Sequence, residues 1–206
     1  MGRNLFIALE GTDGSGKSTQ TKLLAERLQA EGHKVYQTFE PTDGHIGKLL
    51  RSILKGQITA DQAAIAAMFL ADRLDHLTHP THGLLRKLEE GYTVITDRYY
   101  FSSYAYHSVY VDMDWVIACN KACADMLRPT ATIYIDVPPA ICMQRIVAAR
   151  EGTELYERAD LLEKIHANYL TAFDKLAKDE AVYPIDGNRP VADVANDVWA
   201  RVQGLL

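Results

Sequence analysis

Residues 5–18 read LFIALEGTDGSGKS. Leu5 to Glu10 is a short apolar run that stops at a glycine, the pattern of a strand buried on both faces of a parallel sheet. Gly11 to Ser18 fits G-x-x-x-x-G-K-[ST], and residues 18–31 carry Leu23, Leu24 and Leu28 at helical spacing with Gly32 as the stop. Strand, glycine-rich loop and helix follow in the order the motif requires. The glycines let successive backbone N–H groups converge on a phosphate, and the helix N-terminus adds its dipole. Lys17 can reach the β- and γ-phosphate oxygens, and the Ser18 hydroxyl can ligate Mg²⁺. Gly11, Asp13, Gly14, Ser15, Gly16, Lys17, Ser18 and Thr19 are therefore the candidate residues for a nucleoside triphosphate. The plain alternative is a glycine-rich turn capping an ordinary helix.

Further along, Val35 to Phe39, Tyr92 to Thr96, Ala131 to Asp136 and Val182 to Asp186 read as strands. Between them, Ile46, Leu49, Leu50, Ile53 and Leu54 recur at i, i+3, i+4, i+7 and i+8, predicting an amphipathic helix over 45–55. Thr59-Ala-Asp-Gln62 resembles a capping box opening a helix to about Leu77, and Pro80 is expected to start another that ends at Gly91. Residues 99–127 read as broken helix; 139–149, 158–178 and 191–205 read as helices. Strands separated by helices predict an α/β fold with a mainly parallel five-stranded sheet and helices on both faces. With no repeat or long linker, residues 1–206 are expected to form one domain.

Composition narrows the function. The 22 Lys and Arg stand against 27 Asp and Glu, a formal charge of -5, so no general affinity for a nucleic-acid polymer or an anionic membrane is expected. The longest apolar stretch, Ala63 to Ala71, is far too short to span a bilayer. It reads as core ahead of interface. Cys119, Cys123 and Cys142 are sparse and odd in number, as expected of reduced thiols in a cytoplasmic protein. His76, His79 and His82 form H-x2-H-x2-H, but Pro80 interrupts the helix, so no zinc site is expected there.

Phosphate loops serve switches, motors and kinases alike. Asn120-Lys-Ala-Cys123 lacks the acid of a guanine-specificity box, which disfavours a GTPase, and its polar pair reads as an exposed helix face. Asp97 ends an apolar strand immediately before Arg98. There it can help hold Mg²⁺, or simply pair with a neighbouring arginine.

The sequence resembles the thymidylate kinases along nearly its whole length: FIALEGTDGSGKST at 6–19, EPTDGHIGKLLRSIL at 40–54, MFLADR at 68–73, DRYYFSSYAY at 97–106, IYIDVPP at 133–139, ELYE at 154–157 and YPIDG at 183–187. The resemblance implies a three-layer phosphate-loop NTPase fold with a short lid, at about 145–158. It implies transfer of the γ-phosphoryl group of ATP to dTMP with Mg²⁺, in dTTP biosynthesis, by a cytoplasmic homodimer. The alternatives are another nucleotide or nucleoside kinase of the same fold and a non-catalytic phosphate-loop switch.

By the same resemblance, Asp13 touches the deoxyribose 3′-hydroxyl and nearby magnesium-bound water. Phe69 stacks on thymine and Arg73, one turn later, reaches a base carbonyl. Arg51 and Arg98 hold the acceptor phosphate, Ser103 bonds the base edge, Tyr106 crowds the 2′ position, and Pro41 joins the substrate-binding set. Gly14 stands where one subclass carries a loop arginine, which points to the subclass whose catalytic arginine comes from the lid. Arg150 is the first candidate and Arg145 the second. Lys17, Asp13, Arg98 and Arg150 make up the expected catalytic set. Position 107 is His where many bacterial members carry Gln, and the lid lacks the Asp-Arg pair common ahead of the family's glutamate.

Overall fold

The computed structural model describes residues 4–149 and 154–206. Five strands form one sheet: β1 (Phe6–Glu10), β2 (Val35–Phe39), β3 (Thr93–Asp97), β4 (Ala131–Asp136) and β5 (Val182–Asp186). Their order is β2-β3-β1-β4-β5, and every pairing is parallel. Each strand lies within a residue of its sequence expectation. The continuous apolar runs occupy β1, β3 and β4, the three interior positions, because a strand covered on both faces buries every side chain. Edge strands β2 and β5 are partly exposed, and β5 tolerates Pro184 for that reason.

The helices are α1 (Lys17–Ala30), α2 (His45–Leu54), α3 (Gln62–Thr78), α4 (Leu84–Glu89), α5 (Tyr100–His107), α6 (Met113–Met126), α7 (Pro139–Ala149), α8 (Ala159–Leu176) and α9 (Val191–Gln203). Of these, α1 packs on β1, β2 and β3 and on α9, which also covers β5. A second group is built from α3, α4, α5, α6 and α8, with α4 against β3. The α2–α3 pair has a small core of its own, Leu50, Ile53 and Ile65, on which Met68, Phe69 and Leu155 pack. That cluster holds Phe69 half-buried at the mouth of a cavity instead of inside the main core. Among the described residues no helix is long and apolar enough to cross a membrane.

Strand order places the ligand edge. The chain leaves β1 towards β2 and leaves β3 towards β4, on the opposite side, so the connections diverge between β1 and β3. Such a divergence opens a crevice at the carboxyl ends of the strands. The phosphate loop leaves β1 there, and Asp97 and Arg98 leave β3 beside it.

Three local expectations are corrected. Helix α3 is capped by Asp61, whose side chain accepts the Ala63 N–H at 2.9 Å, so Thr59 lies outside the helix. Helix α4 starts at Leu84, because residues after Pro80 form a turn closed by Gly83 N–H on the His79 carbonyl. Asn120 is buried on the inner face of α6, and only Lys121 of that polar pair faces solvent, bound to Asp125.

Ile133→Ala, in the interior of β4, is expected to lower the unfolding free energy by about 2–5 kcal/mol. Asp61→Ala should lower it by about 1 kcal/mol. Equilibrium urea unfolding of both variants checks the ranking.

Candidate functional site

The loop after β1 wraps into α1 with Gly14 at φ 78° and Gly16 at φ 96°. Lys17 is buried under it and donates to the Thr12 carbonyl at 2.9 Å. Burial and the neighbouring Arg98 cation pull the Lys17 ammonium below its ordinary value, against the raising effect of Asp97, Asp13 and Glu10. A Cβ at Gly14 would lie 2.4 Å from the Cys142 carbonyl oxygen on α7. Position 14 therefore has room for glycine alone, and a loop arginine there would require α7 to move.

The Ser18 hydroxyl donates to Asp97 Oδ2 at 2.5 Å. Two hard oxygen groups thus meet at the loop mouth, a donor set that suits Mg²⁺. Arg98 follows with φ 75°, a left-handed conformation uncommon for a residue with a side chain. Its guanidinium bonds Asp13 Oδ1 at 2.5 Å, Ser102 Oγ at 2.9 Å, the Tyr106 hydroxyl at 3.1 Å and the Gly11 carbonyl at 3.3 Å. The Tyr106 hydroxyl donates to Asp13 Oδ2 at 2.9 Å, so three elements converge on one ion pair. Burial alone would raise the Asp13 carboxyl; Arg98 and Lys17 outweigh it and hold Asp13 below the usual carboxylate range.

Two cavities meet at this pair. One is lined by Gly14, Gly16, Lys17, Ser18, Thr19, Asp97 and Arg145. The other is lined by Pro41, Arg51, Phe69, Arg73, Ser103, Tyr106 and His107. Asp13, Arg98 and Glu157 line both. Every expected substrate residue is thus brought to one cavity. Gly11 and Ser15, though part of the loop, belong to neither lining; Ser15 Oγ is buried without a partner among the described residues. Arg145 sits on α7 with its guanidinium turned to the carbonyls of Ser15 at 3.4 Å and Gly187 at 3.3 Å. Arg150 lies outside the described residues.

Arg73 is among the largest fully buried side chains of the described residues. Its Nη2 pairs with Glu40 at 2.7 Å, Nε donates to Glu40 at 2.8 Å, and Nη1 donates to Ser103 Oγ at 3.0 Å and to Asn120 Oδ1. Of the five N–H groups on the fork, one on Nη2 has no partner among the described residues. The Glu40 carboxyl, which burial would raise, is held below its usual range by Arg73 and His76. Arg51 donates to the carbonyls of Pro41 and Thr42 at 2.8 and 2.6 Å and pairs with Asp43 at 2.9 Å. Glu40, Asn120 and Ser102 had no role in the sequence reading. Their signals are an acid at a strand exit and small polar residues on apolar helix faces, which single out nothing until the partners are known.

Glu154, Tyr156 and Glu157 border the second cavity. Leu155 N–H bonds the Leu54 carbonyl at 3.0 Å, the Tyr156 hydroxyl bonds Gln62 Oε1 at 3.0 Å, and the Tyr156 ring meets Tyr106 edge-on at 5.5 Å. His76 is occupied by Glu40 and Thr38, while His79 and His82 stack on each other at 3.4 Å. Among the described residues no group of three or more His, Cys, Asp and Glu is placed to hold a metal ion.

A family model described as thymidylate kinase matches residues 9–198. The chain is 36% identical over 207 residues to the probable thymidylate kinase of Pyrococcus horikoshii, covering 98% of this chain and 97% of that one. With the probable thymidylate kinase of Pyrobaculum calidifontis it shares 39% over 200 residues, covering 97% and 96%. With that of Thermococcus onnurineus it shares 36% over 210 residues, covering 97% of each.

His107 lies against the Phe69 ring at 4.9 Å, with Nδ1 buried and without a hydrogen-bond partner among the described residues. Burial and the charge of Arg73 hold its pKa down to about 3. An unfolded chain binds the proton first, near pH 6.5, so the stability tied to the neutral ring is complete above that pH. It is lost on acidification towards pH 3, by about 1.4 kcal/mol per unit. His107→Gln is expected to flatten the fall in unfolding free energy between pH 6 and 4. Denaturant titrations at several pH values check this, and a variant profile as steep as the parent's would contradict it.

Proposed function

The chain belongs to the thymidylate kinase family and phosphorylates dTMP to dTDP, and on that premise we propose how its two cavities divide the reaction. ATP, the phosphoryl donor, occupies the cavity over the phosphate loop, and dTMP occupies the one beneath the lid. The observation that carries this reading is the shared wall: Asp13 and Arg98 border both cavities, so a donor and an acceptor bound to either side meet there.

In this reading the bond from the γ-phosphorus to the ADP oxygen breaks as a dTMP phosphate oxygen bonds to that phosphorus. The acceptor phosphate, with a second pKa of about 6, is ionised at neutral pH and needs no general base. What the site must supply is cationic charge held in place. Lys17 meets the donor's β- and γ-oxygens, and Arg98 and Arg51 hold the acceptor phosphate, Arg98 with its charge and the Nε–H that its four protein acceptors leave over. Ser18 and Asp97 would hold Mg²⁺, which neutralises charge on the β- and γ-phosphates when bound. Arg150, with Arg145 as the alternative, meets the transferring group from the lid. Closure of that lid over both cavities excludes water that would otherwise take the phosphoryl group.

Recognition of the base follows from the second cavity. The Phe69 ring offers a stacking face, the free Nη2 proton of Arg73 points to a carbonyl oxygen, and the Ser103 hydroxyl, which accepts from Arg73, still has its own proton to donate to the base edge. Tyr106, fixed by Asp13 and Arg98, leaves no space at the 2′ position. Asp13 reaches the 3′-hydroxyl. The homodimer is proposed through α3, whose Ala64, Ala67 and Ala71 form an exposed apolar stripe outside the core. We place the enzyme in the cytoplasm, as one kinase domain over 1–206 with a lid of about 145–158.

A coupled ADP-release assay over dTMP, dUMP, dCMP, dGMP, AMP and UMP tests the assignment. Turnover is expected with dTMP first, and ATP hydrolysis indifferent to dTMP would reject it. In that assay Arg98→Ala is expected to lower phosphoryl transfer by about a hundredfold or more while ATP binding stays near the parent value. Phe69→Ala should raise KM for dTMP by about tenfold.

A further inference from the structure

Glu10 closes β1, is fully buried, and borders neither cavity. Its carboxylate gathers four donors. Tyr99 N–H and Ser102 N–H reach Oε1 at 2.8 and 3.1 Å, and the hydroxyls of Ser102 and Tyr169 reach Oε2 at 2.6 and 2.9 Å. Four donors use the acceptor capacity of an ionised carboxylate, so no direction remains for a substrate. Tyr99 and Ser102 belong to the turn that follows Arg98. Tyr169 projects from α8, the helix that begins where the lid ends.

Arg98 needs such an anchor. Its left-handed φ of 75° is unfavourable for a residue with a side chain and persists only where surrounding contacts over-determine it. Two of those contacts hold the Arg98 backbone, its N–H donating to the Leu9 carbonyl at 2.9 Å and its carbonyl accepting from the Thr96 hydroxyl at 2.9 Å. Glu10 pins the next turn through Tyr99 and Ser102 and orients the Ser102 hydroxyl, which donates to Glu10 and so presents its lone pair to Arg98 Nη1 at 2.9 Å. The chain of contact therefore runs from Tyr169 and Glu10 through Ser102 to the guanidinium.

We infer that Glu10, with Tyr169 as its arm from α8, is a positioning residue that aims Arg98 at the acceptor phosphate. This rests on the reading of Arg98 as an acceptor-phosphate ligand. A glutamine at position 10 would set an amide N–H₂ among groups that all donate. Loss of the Tyr169 hydroxyl would remove one of the two hydroxyl groups that fix Oε2.

The test uses the full chain, with dTMP-dependent turnover and ATP binding measured for Glu10→Gln and Tyr169→Phe, alone and combined with Arg98→Ala. Enzyme concentration is raised to read the residual turnover of the Arg98 variants. Glu10→Gln is expected to lower kcat by about tenfold and Tyr169→Phe by about threefold, with ATP affinity unchanged. Neither should lower it further once Arg98 is alanine, because the group they position is gone. Parent-like kcat in both single variants overturns the inference. So does an equal loss in the Arg98→Ala background, which would mark a general structural effect. If Arg98→Ala itself turns over like the parent, the acceptor-phosphate reading fails instead, and the positioning role with it. Should Glu10→Gln not fold, Tyr169→Phe, which removes one oxygen from a buried ring, decides the matter.

Discussion

The contact between Arg98 and Asp13 organises the rest of the site. It joins the phosphate loop to the end of β3, draws in the Tyr106 hydroxyl from α5, and lies where both cavities meet. A guanidinium removed from water needs compensating acceptors, and this one finds a carboxylate, two hydroxyls and a carbonyl. Its direction is then set by geometry rather than by attraction to whatever anion arrives. Preorganised charge of this kind stabilises a transition state without reorganising as the reaction proceeds.

The same construction recurs under the base. Arg73 is held by Glu40, Ser103 and Asn120, and Glu40 is held in turn by His76, which leans on Thr38. Arg98 and Arg73 thus each carry an acid of their own, and each of those acids is backed by another hydrogen-bonding residue. This reconciles a chain of net charge -5 with a site that binds two polyanions. The net charge does not favour phosphate, while Arg51, Arg73 and Arg98, each matched to an acid, and Lys17, held on a backbone carbonyl, place cations at the cavities. Binding then depends on placement, so one misplaced arginine weakens the site without altering the net charge.

How far the sequence could be read depended on how local each feature is. Residues 11–18 were legible because a phosphate loop is made by consecutive backbone groups, and Asp97 because a strand end has a fixed place relative to the sheet edge. Strand boundaries followed from two-sided burial, which leaves an unbroken apolar run. Caps and short helices were less legible. Thr59 and Asp61 are both good capping residues, and the side chain that reached a free N–H decided between them. Asn120 looked like solvent-facing polarity because its partner, Arg73, is 47 residues away. Glu10 looked like a mere strand end for a similar reason, with partners 89, 92 and 159 residues along the chain.

By itself the sequence determined the phosphate loop, the parallel sheet around it, and, through motifs spaced along the whole chain, the family. Each motif is a short run or spacing, and the order of the motifs along the chain can be read without knowing what touches what. Only the tertiary structure decided which charges face each other: Arg98 with Asp13, Arg73 with Glu40, and Glu10 with the turn beyond Arg98. It also decided that Gly14 has no space for a side chain, because Cys142 on α7 closes over it. Pairing across many residues is a property of how strands are ordered and helices packed, and a buried ion pair exists only where that packing excludes water and brings its two halves together.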